Sequence, residues 1–155
     1  MSNLNNQNNN QNKSENTTDF LSEIYRGAKM GVQSINSLLS KVNDNKIYDE
    51  LKYQLQSYEE IANEAYAELI KRNNTPKDIS LFNKMSVNMS VGINTFINNN
   101  PSHIADMLIK GNTMGVTGIT KTLNSHQDSD PSIKGLADRF IELEQSNIDR
   151  LKKFL

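Results

Sequence analysis

Apolar residues recur every three or four positions along most of the chain beyond residue 17, which is the spacing of an amphipathic α-helix. The first such segment carries Leu21, Ile24, Ala28, Gly31, Ile35, Leu38 and Val42. The second carries Leu51, Leu55, Tyr58, Ala62, Ala65 and Leu69. The polar run at 43–45 separates them and supplies a cap for the second helix. Since no segment shows a convincing alternation with period two, the pattern predicts an all-α protein.

Prolines mark the starts of three further helices. Each proline follows a polar residue suited to capping a helix, in the pairs Thr75-Pro76, Asn100-Pro101 and Asp130-Pro131. Proline is tolerated in the first helical turn because its missing N–H would have no partner there. The chain therefore divides into a first hairpin over 17–73, a crossover helix over 75–98 and a second hairpin over 101–155.

The N-terminal segment has a different character from the rest of the chain. Residues 1–16 are dominated by asparagine, glutamine and serine, which offer almost no apolar surface to bury. Such a composition is typical of a disordered tail. We therefore predict a disordered tail over 1–16 and one helical domain over 17–155.

The two hairpins also resemble one another in sequence. A shift of about 84 residues places the fourth helix over the first with these identities: Gly27 with Gly111, Met30 with Met114, Gly31 with Gly115, Val32 with Val116, Ile35 with Ile119 and Leu39 with Leu123. One further residue of shift aligns the remaining helices, with Glu59 on Glu144. Two amphipathic helices share a period by chance, but identical glycines indicate an internal repeat.

The repeated glycines require a packing reason. A glycine inside a helix costs about 1 kcal/mol relative to alanine. Gly27 and Gly31 stand four residues apart, as do Gly111 and Gly115, so each pair lies on one helix face. We predict a packing seam at these four glycines, where the first and fourth helices cross closely. A flexible hinge at the glycines is the alternative.

Composition excludes several classes of function. The chain has 17 Lys and Arg against 18 Asp and Glu, and it has no long basic run, so we expect neither nucleic acid nor a membrane surface as a partner. It has no cysteine, which excludes disulfides, thiolate nucleophiles and thiolate metal sites. With no apolar stretch of about 18 residues and no apolar leader, we expect a cytoplasmic protein.

Four segments carry a resemblance to a known fold family. They are RGAKMGVQSI and YEEIANEA in one half, and HIADMLIKGNTMGVTGI and IELEQSNI in the other. With these segments the chain resembles ferritin-like helical bundle domains, in particular small bacterial proteins of unknown function built from two related hairpins. The resemblance covers about 18–155 and implies a ferritin-like four-helix bundle with an additional helical crossover.

Metal-binding members of the wider ferritin-like fold use a Glu-x-x-His on each of two helices. This chain departs from that pattern, because Glu59 is followed three residues on by Ala62 and Glu144 by Asn147. The remaining metal candidates are Glu59, Glu144, His103 and Asp106, of which the last two form an i, i+3 pair on one helix. We otherwise predict no cofactor.

No catalytic motif stands out. The chain has neither the nucleophile-elbow pattern of hydrolases nor a glycine-rich phosphate loop following a strand. The sequence therefore favours a non-enzymatic structural or interaction protein, with a homo-oligomer or another protein as partner. The alternatives are a metal-binding ferritin-like protein with an atypical carboxylate and histidine site, and a carrier of an apolar ligand.

Overall fold

The computed structural model describes residues 2–76 and 100–155, with side chains from residue 14 onwards. The described elements are α1 (Ser2–Leu39), α2 (Asn45–Lys71), α3 (Pro101–Ser125), α4 (Pro131–Leu151) and a short 3₁₀-helix (Lys152–Phe154). These residues contain four α-helices and no strand, which confirms the all-α prediction. The predicted crossover helix over 75–98 lies almost entirely outside the described residues.

Side-chain caps fix the starts of three helices. Asp44 Oδ1 accepts hydrogen bonds from the backbone N–H groups of Lys46 and Ile47, at 2.9 and 3.0 Å. Asn100 and Asp130, the residues before two of the prolines, each accept one from the N–H two residues on, at 3.0 Å. These bonds satisfy donors that the helix itself leaves unpaired. The prolines therefore mark the starts of α3 and α4 as predicted.

Helix α1 begins earlier than the sequence pattern indicates. Its backbone is helical from Ser2, through the segment for which the composition predicts a disordered tail. The physical reason is the cooperativity of helix formation, because a residue added to an existing helix needs to fix only its own dihedral angles. The packed part of α1 beyond Thr17, which is itself buried, provides that existing helix.

Ring contacts show how α1 runs relative to its neighbours. The rings of Tyr25 on α1 and Tyr66 on α2 lie 6.0 Å apart. Phe20, near the start of the packed part of α1, stacks at 5.2 Å on His126, which follows the end of α3. Helix α1 is therefore antiparallel to both α2 and α3; the latter is the fourth helix predicted from the sequence.

Ion pairs show how the two hairpins meet along α2 and α4. Glu50 pairs with Arg150, Glu64 with Arg139 and Arg72 with Asp130. As the residue number rises along α2 it falls along α4, so these two helices are also antiparallel.

The core lies between the hairpins and draws on all four helices. Its fully buried large side chains are Phe20, Leu21, Ile24, Ile35, Leu38, Ile47, Leu51, Leu69, Ile104, Ile133, Leu136 and Phe140. Within the described ranges, none of the helices has an apolar stretch of the length needed to cross a bilayer.

Candidate functional site

A tyrosine and a glutamate from different hairpins meet in the core. Tyr58 on α2 is 3% exposed and Glu144 on α4 is 5% exposed. The Tyr58 hydroxyl donates a hydrogen bond of 2.8 Å to Oε2 of Glu144. Because buried polar groups are costly unless paired, this bond fixes the register of α2 against α4.

Asn112 of α3 completes this cluster. Its side-chain amide lies 3.2 Å from the Tyr58 hydroxyl and from Glu144 Oε2, and 3.1 Å from the carbonyl oxygen of Leu108. With its nitrogen turned towards these oxygens, Asn112 donates to acceptors, whereas the opposite orientation would set its oxygen against a carboxyl and a carbonyl. We define the Tyr58 cluster as Tyr58, Asn112 and Glu144; it connects three of the four helices.

Burial controls the protonation of this cluster. Removal from water raises the pKa of Glu144 from 4.5 to about 8, against the opposing effect of the hydrogen bond from Tyr58. Burial and the neighbouring Glu144 carboxylate hold the pKa of Tyr58 well above its ordinary value. At neutral pH the cluster therefore holds a largely neutral carboxylic acid, which can release a proton on modest alkalinisation.

Two glycines make room for the cluster. A Cβ atom on Gly31 would lie 2.6 Å from Cδ1 and from Cε1 of Tyr58. A Cβ atom on Gly115 would lie 2.6 Å from Oε1 of Glu144. Each glycine thus faces a side chain on the other helix of its own hairpin, and these two side chains are the ones that bond to each other.

At three of the four repeated glycines the nearest atoms belong to side chains, whereas the predicted seam between the first and fourth helices places a second backbone there. A Cβ on Gly27 of α1 would lie 2.8 Å from the ring of Phe140 on α4 and 3.9 Å from Ile119 on α3, and a Cβ on Gly111 would meet no atom of the described residues within 4 Å. The physical reason for the difference is that three of the four glycines receive side chains rather than a second backbone. The shared face was predicted from spacing alone, which does not identify the neighbour.

Replacing Tyr58 by phenylalanine should raise the pKa of Glu144 above about 8. The hydrogen bond from Tyr58 favours the charged carboxylate, so its removal leaves burial less opposed. The measurement is the pH at which the decline in unfolding free energy ends, taken from urea denaturation between pH 5 and 10, because the decline stops at the folded-state pKa. Tyr53→Phe is the control, because Tyr53 is 49% exposed and should leave that pH unchanged. A lowered or unchanged end of the decline in Tyr58→Phe would contradict the assignment.

A second polar group lies at the other end of the α2–α4 contact. Glu50, which is 3% exposed, accepts hydrogen bonds from Nε and Nη2 of Arg150 at 2.7 and 2.9 Å. It also accepts from Nζ of Lys153 at 3.3 Å and from Nε2 of Gln54 at 3.0 Å. Burial acts to raise the pKa of Glu50, but these bonds and the charge of Arg150 outweigh it, so the pKa lies below its ordinary value.

Replacing Glu50 by glutamine should lower the unfolding free energy at pH 7 by about 2 kcal/mol, since bonds to a buried carboxylate are lost while Arg150 regains water. Because the pKa of Glu50 is lower in the folded state, the stabilisation by its carboxylate is present above pH 4.5 and is lost as the pH falls through the folded-state pKa. The gap between wild type and Glu50→Gln, measured by urea denaturation, should therefore narrow towards pH 3.

The matched control is Glu64→Gln, whose partner is Arg139. Both side chains of that pair are about half exposed, and exposed ion pairs contribute about 0–1 kcal/mol. If Glu50→Gln and Glu64→Gln lowered the unfolding free energy equally at pH 7, the burial of Glu50 would add nothing to the stability that its ion pair provides.

The structure does not bring the four metal candidates together. Glu59 is exposed on α2, and His103 is exposed near the start of α3. Asp106 pairs with Lys110 at 2.6 Å, while Glu144 belongs to the Tyr58 cluster. Among the described residues, no group of three or more histidine, aspartate or glutamate side chains is placed to hold a metal ion.

The sequence pattern did contain a signal for the buried polar residues. Glu50, Gln54 and Tyr58 follow one another at intervals of four on α2, adjacent to the apolar Leu51 and Leu55. A polar residue repeated on the buried face of a helix indicates an internal polar contact, because burial without a partner is costly. Among the buried polar residues of the Tyr58 cluster and the Glu50 group, the sequence predicts only Glu144 as a candidate site residue.

The outer face of α3 is a separate feature. Met114 on this face is 75% exposed. Gly111 and Gly118 lie within about one turn on either side, and a Cβ on either would meet nothing within 4 Å. The nearby hydroxyls of Thr113 and Thr117 donate to carbonyl oxygens of α3 itself, at 2.8 and 2.9 Å. We define the α3 face as Gly111, Met114 and Gly118.

Comparison with known proteins gives no relative: no family model, no curated protein and no solved structure matches the chain. Two features of the chain itself are therefore the functional candidates. The Tyr58 cluster is enclosed in the core, whereas no described residue covers the α3 face.

Proposed function

We propose that this chain is a non-enzymatic helical-bundle protein that associates with a second copy of itself through the α3 face. The observation that carries the proposal is the 75% exposure of Met114. A large apolar side chain in contact with water is stabilised when a partner covers it, because apolar surface is then removed from water. Methionine also adapts its shape readily to a partner surface.

The neighbouring glycines support the same conclusion. Gly111 and Gly118 lie inside α3, where each costs about 1 kcal/mol relative to alanine, and no atom of residues 2–76 or 100–155 lies close enough to account for either. A second α3 helix would account for both. In an antiparallel pair around a twofold axis, Met114 of each copy packs into the space that Gly118 of the other leaves without a side chain.

The charges around the α3 face suit such an interface. Its centre is formed by uncharged residues between Lys110 and Lys121. Lys110 is already paired with Asp106, so its charge is partly neutralised at the rim. An uncharged centre with a charged rim is the usual arrangement of a protein interface.

Size-exclusion chromatography with light scattering tests the proposal. Wild type should be a dimer at concentrations of tens of micromolar, and Gly118→Glu should be a monomer because it places a charge in the space that Met114 of the other copy fills. The matched control is Gly135→Glu, which makes the same substitution in α4 at a glycine that also has nothing within 4 Å. A monomeric wild type, or a dimer that persists in Gly118→Glu, would contradict association through α3.

The arrangement of the hairpins supports a second, structural proposal: that the chain is a ferritin-like bundle made of two copies of one hairpin. Each hairpin is antiparallel, and α3 runs antiparallel to α1. Gly31 and Gly115, which the sequence shift superimposes, each face a side chain on the partner helix of the same hairpin. A crystal structure in which the two hairpins superimpose with these glycines in register would support the proposal, and different helix crossings would contradict it.

A further inference from the structure

In the described part of the chain, four buried side-chain polar atoms lack a hydrogen-bond partner, and three of them belong to two residues. These three are Oε1 of Gln54 and both amide atoms, Oδ1 and Nδ2, of Asn147; the fourth is Oγ of Ser129. The side chains of Gln54 and Asn147 are 0% exposed. An unpaired buried polar atom loses the hydrogen bonds that it makes in water, so this concentration in two residues requires an explanation.

The two residues occupy the same level of the α2–α4 contact. Gln54 lies one helical turn from Glu50 and one turn from Tyr58. Asn147 lies between Glu144 and Arg150 on α4. Because Glu50 meets Arg150 and Tyr58 meets Glu144, the antiparallel register places Gln54 and Asn147 opposite one another between these contacts.

We propose that Gln54 and Asn147 together bind a buried water molecule. The unpaired set comprises two acceptor oxygens and one N–H donor group, so its occupant must both donate and accept hydrogen bonds. A cation could not accept from Nδ2, and an anion could not donate to the two oxygens. Water does both, and a buried water commonly makes about three hydrogen bonds.

A direct hydrogen bond between the side-chain amides of Gln54 and Asn147 would leave one of the three unpaired atoms without a partner. If Nδ2 of Asn147 donated to Oε1 of Gln54, Oδ1 of Asn147 would still lack a donor. The hydroxyl of Tyr58 is no substitute: a hydrogen bond from Nδ2 of Asn147 to Tyr58, which acts to lower the pKa of Tyr58, still leaves Oδ1 of Asn147 and Oε1 of Gln54 without a donor. A shared water supplies the missing donor.

This water also connects the two polar groups described above. Gln54 donates to Glu50, whose partner Arg150 is 39% exposed. Asn147 lies beside Tyr58, which donates to Glu144. The water therefore lies between the ion pair of Glu50 with Arg150 and the Tyr58 cluster, and it joins these two polar groups along the α2–α4 contact.

Nuclear magnetic resonance of the full wild-type chain tests the water site without a substitution. The side-chain amide protons of Asn147 should show a cross-relaxation signal with water of the sign given by long-lived contacts. The control is Gln56, an exposed amide that donates to Glu60 and should show the sign of rapidly exchanging surface water. Absence of a long-lived water signal at Asn147 would overturn the proposal.

A double-mutant cycle tests whether the water is shared. Unfolding constants are measured for Gln54→Met, Asn147→Leu and the double variant. A shared water predicts that the product of the single effects differs from the double effect by about threefold or more. Additive effects would overturn the shared site even with a water signal at Asn147. Coupling without that signal would indicate a direct amide bond and would also overturn it.

Discussion

Replacing Gly31 by alanine should destabilise the protein by about 2–3 kcal/mol, although alanine is the better helix former by about 1 kcal/mol. The added Cβ would lie 2.6–2.7 Å from three atoms of the Tyr58 ring. That ring is buried and hydrogen-bonded to Glu144, so it cannot move aside without breaking the Tyr58 cluster. The measurement is urea denaturation followed by circular dichroism at 222 nm.

Gly135→Ala provides the matched control. Gly135 is an exposed glycine inside α4, outside the α3 face and the Tyr58 cluster, and an added Cβ would meet no atom of the described residues within 4 Å. This variant should therefore gain about 0.5–1 kcal/mol from helix propensity alone. If Gly31→Ala were also stabilising, the close contact with Tyr58 would be wrong; if Gly135→Ala were strongly destabilising, the open space around Gly135 would be wrong.

Replacing Glu144 by glutamine should remove a large pH dependence of stability. The folded-state pKa of Glu144 is raised from 4.5 to about 8, so the folded protein binds this proton more tightly than the unfolded chain does. The stabilisation by protonated Glu144 is fully present below pH 4.5, declines between pH 4.5 and about pH 8, and is absent at higher pH. At about 1.4 kcal/mol for each pKa unit, the upper limit of the effect is about 5 kcal/mol.

Glutamine resembles the protonated acid in shape, so Glu144→Gln should match wild type near pH 5 and exceed its stability at pH 9. The measurement is the unfolding free energy from urea denaturation at half-unit pH steps. Glu142→Gln is the control, because Glu142 is exposed two residues away on the same helix and its curve should follow that of wild type. Parallel curves for Glu144→Gln and wild type would contradict a raised pKa.

These predictions give the Tyr58 cluster a definite physical role. A neutral acid hydrogen-bonded across the two hairpins stabilises one register of α2 against α4, whereas a charge at the same place opposes burial. The contribution of Glu144 to holding the two hairpins together should therefore decline between pH 4.5 and about 8. The α3 face lies outside this cluster, so loss of association through Met114 and loss of the pH dependence can be separated experimentally.

The candidate site could be predicted only in part. Glu144 was among the candidate residues because it is a helical carboxylate, yet the metal set proposed around it does not come together. Tyr58 and Asn112 were missed because a tyrosine and an asparagine at amphipathic spacing do not differ in pattern from core or surface residues. The two partners of Tyr58 lie 54 and 86 positions away from it in the chain, so no local pattern reveals the contact.

The apolar spacing along the chain predicts the four helices α1 to α4. The capping residues Asp44, Asn100 and Asp130 predict where three of them begin. These are local properties: a cap acts on the N–H groups two or three residues away, and helical period is set by a few turns of the chain.

The tertiary structure decided which side chains face each glycine and which polar groups are buried together. The spacing of Gly31 and Gly115 fixed a helix face but not its neighbour, and the structure sets Tyr58 and Glu144 there instead of a second backbone. The raised pKa of Glu144 has the same origin. Desolvation depends on atoms from three helices, and no local pattern in the sequence specifies how those helices pack.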